Sequence, residues 1–256
     1  MQRYFISAEE QWDFNRQKIL LNGNDYHHIV NVMRMQSSDQ VICCHPSRHS
    51  YLAQIIDIDE LGKQVECKIV SELDEQSELP IDVTIAHGLP KGDKLDLIVQ
   101  KSTELGMREL IPLKMDRSIV KWDAKKESKK VERLRKIAKE ASEQSHRQSI
   151  PQITSSKSIK DVLEESTFDE VIVASEYEAK VDKKHHSTFI DVLSNLKLGA
   201  RLLVIVGPEG GISDEEIEIF NQYECKPIRL GPRILRSETA PLYILSAISF
   251  YFEEWR

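Results

Sequence analysis

The sequence predicts an α/β fold with a small β-barrel at its N-terminus. Three observations carry that expectation. Short β-branched runs crowd residues 1–72. From Ile81 onward, strand-like apolar runs alternate with helical periodicity, the pattern of a largely parallel sheet covered by helices. Near the C-terminus two apolar runs each stop at a Gly-Pro pair, Gly207-Pro208 and Gly231-Pro232, and each leads toward a helix. Proline cannot donate to a strand ladder and glycine permits turns that other residues resist, so both pairs end strands.

In the N-terminal part, Val41–Cys44, Tyr51–Ile58 and Val65–Val70 read as strands, separated by turns at Ser37-Ser38-Asp39 and Leu61-Gly62-Lys63. Between the start of the chain and these strands, Tyr26–Met35 carries Ile29, Val30, Val32, Met33 and Met35 at the spacing of a short amphipathic helix, with Asp25 as its expected cap. A handful of short strands with one helix suggests a small barrel, a type of module that often binds nucleic acid. The acidic, proline-ended stretch Ser71–Pro80 reads as a linker, which predicts two domains, 1–72 and 73–256.

The second domain follows in order. Ile81–Ala86 is a strand, Leu89–Lys94 a loop, and Leu95–Leu105 a helix ended by Gly106. Leu110–Leu113 is the next strand. Residues 128–145 form a basic helix with Val131, Leu134, Ile137, Ala138 and Ala141 as its buried stripe. A short helix at Ile159–Leu163, a strand at Glu170–Ala174 and a helix over Phe189–Leu196 lead into the strand Leu202–Val206. A second strand, Ile228–Leu230, precedes the other Gly-Pro pair, and the apolar run Ala240–Phe252 is a helix too apolar for a single buried face.

Composition narrows the function classes. No run of eighteen apolar residues is present, so no helix should cross a membrane. The N-terminal residues carry acid early and lack the apolar region of a signal peptide, which predicts a cytoplasmic protein. The four cysteines form no C-x-x-C pair and read as reduced thiols. Cys43-Cys44-His45 and His49 lie close together, but neighbours on a strand point to opposite faces, so no metal site is expected. The net charge is −7, yet Lys114–Arg147 holds twelve Lys and Arg against six Asp and Glu. That asymmetry suits either a polyanion contacting one face or a solvated amphipathic helix.

The two Gly-Pro loops hold the chemistry. After Gly207-Pro208-Glu209-Gly210-Gly211, Ser213 and Glu216 stand at capping-box spacing and open a helix. Small residues before a helix start admit a ligand to backbone amides. The spacing fits neither a P-loop nor G-x-G-x-x-G, so the loop is either a ligand edge or a tight turn. The second loop gathers Arg233, Arg236, Ser237, Glu238 and Thr239 just before the final helix. Capping explains Ser237, Glu238 and Thr239, but leaves the two arginines unexplained.

These stretches resemble the SPOUT methyltransferases, which fold the end of an α/β domain into a trefoil knot. More closely the chain resembles the RsmE family, which methylates N3 of a uridine in small-subunit (16S) ribosomal RNA. The likeness also takes in Lys91–Lys94, Gln100–Gly106, Arg117-Ser118, Glu140–Arg147, Arg3-Tyr4-Phe5 and His27-His28 to Arg34, in the expected order. Pro241-Leu242-Tyr243 departs from it, where smaller residues are expected. Proline is tolerated in a first helical turn.

The resemblance implies a PUA-like N-terminal RNA-binding domain, a homodimer and S-adenosylmethionine bound in the knot. Its cofactor loops correspond to Ser175 and Glu176; to Val206, Gly207, Pro208, Gly210 and Gly211; and to Leu230, Gly231, Ile234, Leu235, Thr239 and Ala240. Arg236 is the expected donor to uracil oxygens or a phosphate, and Glu238 is either the base for N3 or a structural partner of Arg236. Arg3, His27, His28, Arg34, Lys91, Lys101, Arg117 and Arg147 are the expected RNA contacts, with His28 readable also as a satisfied core histidine. Three other readings stand beside this one. They are another SPOUT reaction at ribose or a tRNA base, a non-catalytic ribosome assembly factor, and a nucleotide-using small-molecule enzyme. The missing phosphate fingerprints count against the last.

Overall fold

The computed structural model describes residues 1–165, 167–174 and 189–255. The expected cofactor residues Ser175 and Glu176 lie outside the described residues. The chain packs as two compact units, Met1–Glu78 with Ser142–Ile150, and Leu79–Ala141 with Pro151–Arg256. The break falls later than the expected 72/73 boundary, and residues 142–150 join the N-terminal unit.

The N-terminal unit is built on six strands, β1 (Arg3–Phe5), β2 (Trp12–Asp13), β3 (Lys18–Asn22), β4 (Gln40–Cys44), β5 (Ser50–Asp59) and β6 (Gln64–Leu73). They form one sheet in the order β1-β4-β5-β6-β3-β2. The edge strands β1 and β2 are neighbours in sequence, and the Trp12 indole N–H donates to the Ile6 carbonyl at 3.1 Å. The sheet therefore curls until its two edges meet. Register shifts in the β5–β6 ladder at Leu52/Ala53 and Ile55/Asp57 add to the twist. Alternate residues point inward: Ile19 and Leu21, Val41 and Cys43, Ala53 and Ile55, Val65 and Cys67 are all buried in one core. Helix α1 (Gly23–His27) continues into a wider turn over His28–Val32 and caps that core with Ile29. Asp25 lies inside α1 rather than capping it. Asn22 holds the cap position, without a side-chain bond.

The second unit alternates strand and helix: β7 (Asp82–Gly88), α2 (Lys94–Glu104), β8 (Glu109–Lys114), α3 (Ala124–Gln144), β9 (Gln152–Ile153), β10 (Lys157–Ser158), α4 (Ile159–Glu165), β11 (Glu170–Ala174), α5 (Phe189–Asn195), β12 (Arg201–Val206), α6 (Asp214–Gln222), β13 (Lys226–Ile228) and α7 (Thr239–Ser249). The sheet runs β10-β8-β7-β12-β11-β13, with β9 also on β8, and every pairing is parallel. Strands covered on both faces read as unbroken apolar runs, and Leu202–Val206 is buried at every position. After β12 the chain does not add a strand beside it. It passes through α6 and returns so that β13 pairs with β11. Strand β13 ends at Ile228, so the expected strand residues Arg229 and Leu230 belong to the loop. On α7, Ala240, Pro241, Ile244, Leu245 and Ile248 are buried, while Tyr243 and, in the wider turn that follows, Phe250 and Trp255 are exposed.

Candidate active site

Three parallel strands end together. Ala174 of β11 is in register with Val206 of β12 and Ile228 of β13, and Val206 is in register with His87 of β7. Beyond the carboxyl ends of parallel strands, at a point where the strand order reverses, α/β sheets form their ligand crevices. A cavity of about 560 Å³ opens there, within the usual range for a small-molecule site. Val206, Gly207, Pro208, Gly210 and Gly211 form one wall. Leu230, Gly231, Ile234, Leu235, Arg236, Glu238 and Ala240 form the other. The two Gly-Pro loops thus face each other. Thr239 is not part of the lining: it opens α7, and its N–H donates to the Arg236 carbonyl at 2.9 Å.

The first loop is held from several sides. The Ser213 hydroxyl accepts from the Glu216 N–H at 3.2 Å, and the Glu216 carboxylate accepts from the Ser213 N–H at 2.8 Å, completing the expected capping box. Glu216 also accepts from the Asp116 N–H at 2.9 Å, and the Ser213 hydroxyl donates to Asp116 at 2.7 Å. At the end of β7, a Cβ on Gly88 would stand 2.5 Å from Pro208 Cδ, so only glycine lets the strand end approach this loop.

The second loop is held by the β7–α2 connection. His87 is fully buried, with Nε2 3.0 Å from the Ser237 carbonyl and Nδ1 2.6 Å from the Gly88 carbonyl. Burial holds its pKa below the usual histidine value, against the pull of those two carbonyls, so the ring stays neutral. A neutral ring has one N–H to donate. The Lys94 ammonium lies 3.0 Å from Glu238 Oε2 and 2.9 Å from Glu209 Oε1. Burial works to raise the Glu238 carboxyl, but its own backbone amide and Lys94 outweigh it and keep the group ionised. Glu238 stands at the cap position of α7 with helical dihedrals and no capping bond, so capping does not account for it. The Arg236 side chain is exposed to the cavity and has no hydrogen-bond partner among the described residues.

The residues fit an adenosine-type cofactor in kind. Glycines expose backbone amides on one wall. On the other, Ile234 is 68% exposed and presents apolar surface that a bound ring would cover. The thiols take no part. Burial pushes Cys67 up to about 12 and Cys225 up to about 11, so both stay protonated and unreactive at neutral pH. Among the described residues no group of three His, Cys, Asp or Glu is placed to hold a metal ion, and no helix is long and apolar enough to cross a membrane.

The expected RNA contacts divide. Arg34 and Arg117 are exposed; Arg117 reaches the Gly210 carbonyl only at 3.5 Å and borders the cavity. Lys91 is exposed, and Lys101 is half-buried and paired with Glu104 at 2.7 Å. His27 is exposed and bonded to Asn31, whereas His28 is half-buried, with Nδ1 3.0 Å from the Tyr4 hydroxyl. Arg3 and Arg147 require correction. Both are buried, Arg3 in a two-pronged pair with Glu75 at 2.8 and 2.9 Å and Arg147 paired with Glu78. A guanidinium desolvated against a carboxylate is committed to the fold and not available to phosphate. The sequence reading also missed Lys94 and Glu209. Their signal was position: Lys-Gly-Asp-Lys follows β7 at the same carboxyl edge as the Gly-Pro loops.

Comparison with known proteins agrees with this architecture. The family described as the RNA methyltransferase domain matches residues 77–249, and that described as the RNA methyltransferase PUA domain matches residues 21–70. Ribosomal RNA small subunit methyltransferase E of Bacillus subtilis is 45% identical over 99% of this chain and 98% of its own. Among solved structures, a hypothetical protein superposes with a TM-score of 0.90 at 42% identity, covering 100% of both chains. A Legionella pneumophila protein in complex with the cofactor SAM superposes with a TM-score of 0.78 at 29% identity, covering 97% of both. The chain therefore belongs to the RNA methyltransferase family, among the ribosomal RNA small subunit methyltransferase E proteins.

Proposed function

We propose that the protein is a cytoplasmic homodimer that methylates N3 of a specific uridine in 16S ribosomal RNA, using S-adenosylmethionine bound between the two Gly-Pro loops. The observation that carries this reading is the placement of Arg236 and Glu238 on the wall facing the glycines of the first loop, at the carboxyl ends of three parallel strands. The return of β13 to β11 supports a trefoil-knotted chain, and the exposed Tyr243, Phe250 and Trp255 support a subunit interface. The N-terminal unit, Met1–Glu78 with Ser142–Ile150, serves as the RNA-binding domain and the other unit as the catalytic one.

S-adenosylmethionine, when bound, supplies an electrophilic methyl group. The protein's own residues do the rest. The protonated imide nitrogen has no available lone pair, so the N3 proton must leave. Glu238, held ionised beside Lys94, accepts it. Negative charge then develops on O2 and O4, and the exposed Arg236 guanidinium, which no described residue engages, donates to it. Leu230, Ile234 and Leu235, which line the cavity, would cover the cofactor's adenine and exclude water. His27, His28, Arg34, Lys91, Lys101 and Arg117 contact RNA, mainly through phosphates, so binding weakens as salt rises.

The test is to incubate the protein with labelled cofactor and small subunits that lack the modification, then digest to nucleosides. Label in 3-methyluridine is expected. Label on ribose, or no label, overturns the reading.

A further inference from the structure

Lys94, the first residue of α2, belongs to neither Gly-Pro loop, yet it touches both. Its ammonium is 2.9 Å from Glu209 in the first loop and 3.0 Å from Glu238 in the second. All three side chains are partly buried, at 29%, 29% and 17% exposure for Lys94, Glu209 and Glu238. Two carboxylates drawn this close to one point repel each other unless a cation lies between them. The same connection adds two more holds. The Lys91 N–H donates to Glu209 at 3.2 Å, and His87 reaches the Ser237 carbonyl at 3.0 Å. Both walls of the cavity are thus tied to the β7–α2 segment rather than directly to one another at these carboxylates.

We propose that Lys94 is a positioning residue for methyl transfer: bridging Glu209 and Glu238, it sets the spacing of the two cofactor loops and aims the Glu238 carboxylate. The proposal rests on reading the cavity as the methyl-donor site. The ammonium is the part that matters, since a neutral side chain of similar length, such as methionine, fills most of the space without joining the carboxylates. The carboxylates in turn, Glu209 first, hold the lysine above its usual pKa and so fully charged at the pH of the reaction.

The experiment compares wild type, Lys94→Met and Lys94→Arg, each also in a Glu209→Gln/Glu238→Gln background. S-adenosylmethionine affinity is read by titration, and kcat and RNA KM by turnover. A misplacement on the ångström scale costs on the order of 10²-fold in rate. Lys94→Met should therefore lose ~10²-fold in kcat and bind cofactor more weakly, with RNA KM unchanged. Lys94→Arg, which keeps the charge, should recover a large part of the loss. In the double-Gln background, where Glu238→Gln also removes the proposed base and the comparison is therefore read as cofactor affinity, Lys94→Met should add little, because the bridge is already gone. Thermal unfolding without cofactor checks that each variant is folded, and a Lys94→Met chain that does not fold leaves the Lys94→Arg and double-Gln comparisons to decide. A rise in RNA KM with kcat intact would make Lys94 a phosphate contact and overturn the proposal. So would fully additive losses, or a Lys94→Met enzyme that binds cofactor and turns over like wild type. A wild type that binds no S-adenosylmethionine would remove the cavity reading itself, a result distinct from all of these.

Discussion

The two Gly-Pro loops begin alike and are held differently. The first, residues 207–213, runs straight into a helix through a complete capping box, and Asp116 ties both box residues to the chain beyond β8. Its Gly211 sits at a φ of +76°, and the next turn is already helical one residue after Ser213. The second, residues 229–238, has Gly231 at a similar φ of +79°, but a Cβ there would meet nothing nearer than the Tyr243 hydroxyl at 3.9 Å. Its side-chain anchors are few: Arg229 on the Gly231 carbonyl, and His87 and Lys94 on its last two residues. One loop is a fixed floor. The other presents Arg236 and Glu238 from a frame supplied by a distant segment. Dense local bonding suits backbone recognition of a cofactor, and sparse bonding suits side chains that must meet an incoming base.

The largest effect should come from the second loop's chemistry. Arg236→Ala removes the donor proposed for the developing charge, and loss of one such group costs about 10²–10³-fold in kcat. Cofactor titration should show binding retained, and equal loss in binding and rate would place Arg236 in cofactor binding instead. Next comes the floor. Gly88→Ala drives a Cβ into Pro208, and overpacking of this kind costs about 1–3 kcal/mol in stability, measured by urea unfolding. Ser213→Ala is smaller, about 1 kcal/mol for a lost cap, with catalysis reduced less than in Arg236→Ala.

The smallest effect is a pH dependence. The His87 pKa is depressed in the folded protein, so its contribution to stability is present above the unfolded value of 6.5 and is lost as pH falls from there through the folded pKa. His87→Gln, which keeps a donor but does not titrate, should flatten unfolding free energy against pH below 6.5. An unchanged slope would show that other groups carry it.

Much of this was legible along the chain. Strand Glu170–Ala174 has the bounds the sequence predicts, because Val171–Ala174 is an unbroken apolar run of the kind a strand inside a parallel sheet needs. The Ser213–Glu216 box was legible because a capping box is a contact between residues three apart. The short strands β1 and β2 were not, since two or three residues carry no period and their partners lie elsewhere. Arg3 and Arg147 looked like phosphate ligands, and nothing local marks Glu75 and Glu78 as the carboxylates that bury them.

The sequence by itself determined the two kinds of unit, the alternation of strand and helix, and the two Gly-Pro loops with their chemistry-bearing residues. Periodicity, turn chemistry and capping are short-range, so they are written in neighbouring residues. Only the tertiary structure decided that the loops face each other, that Lys94 joins them, and which arginines remain free. Those outcomes depend on where β13 pairs and on how charges far apart in sequence meet, and a desolvated charge takes whatever partner the fold brings within reach.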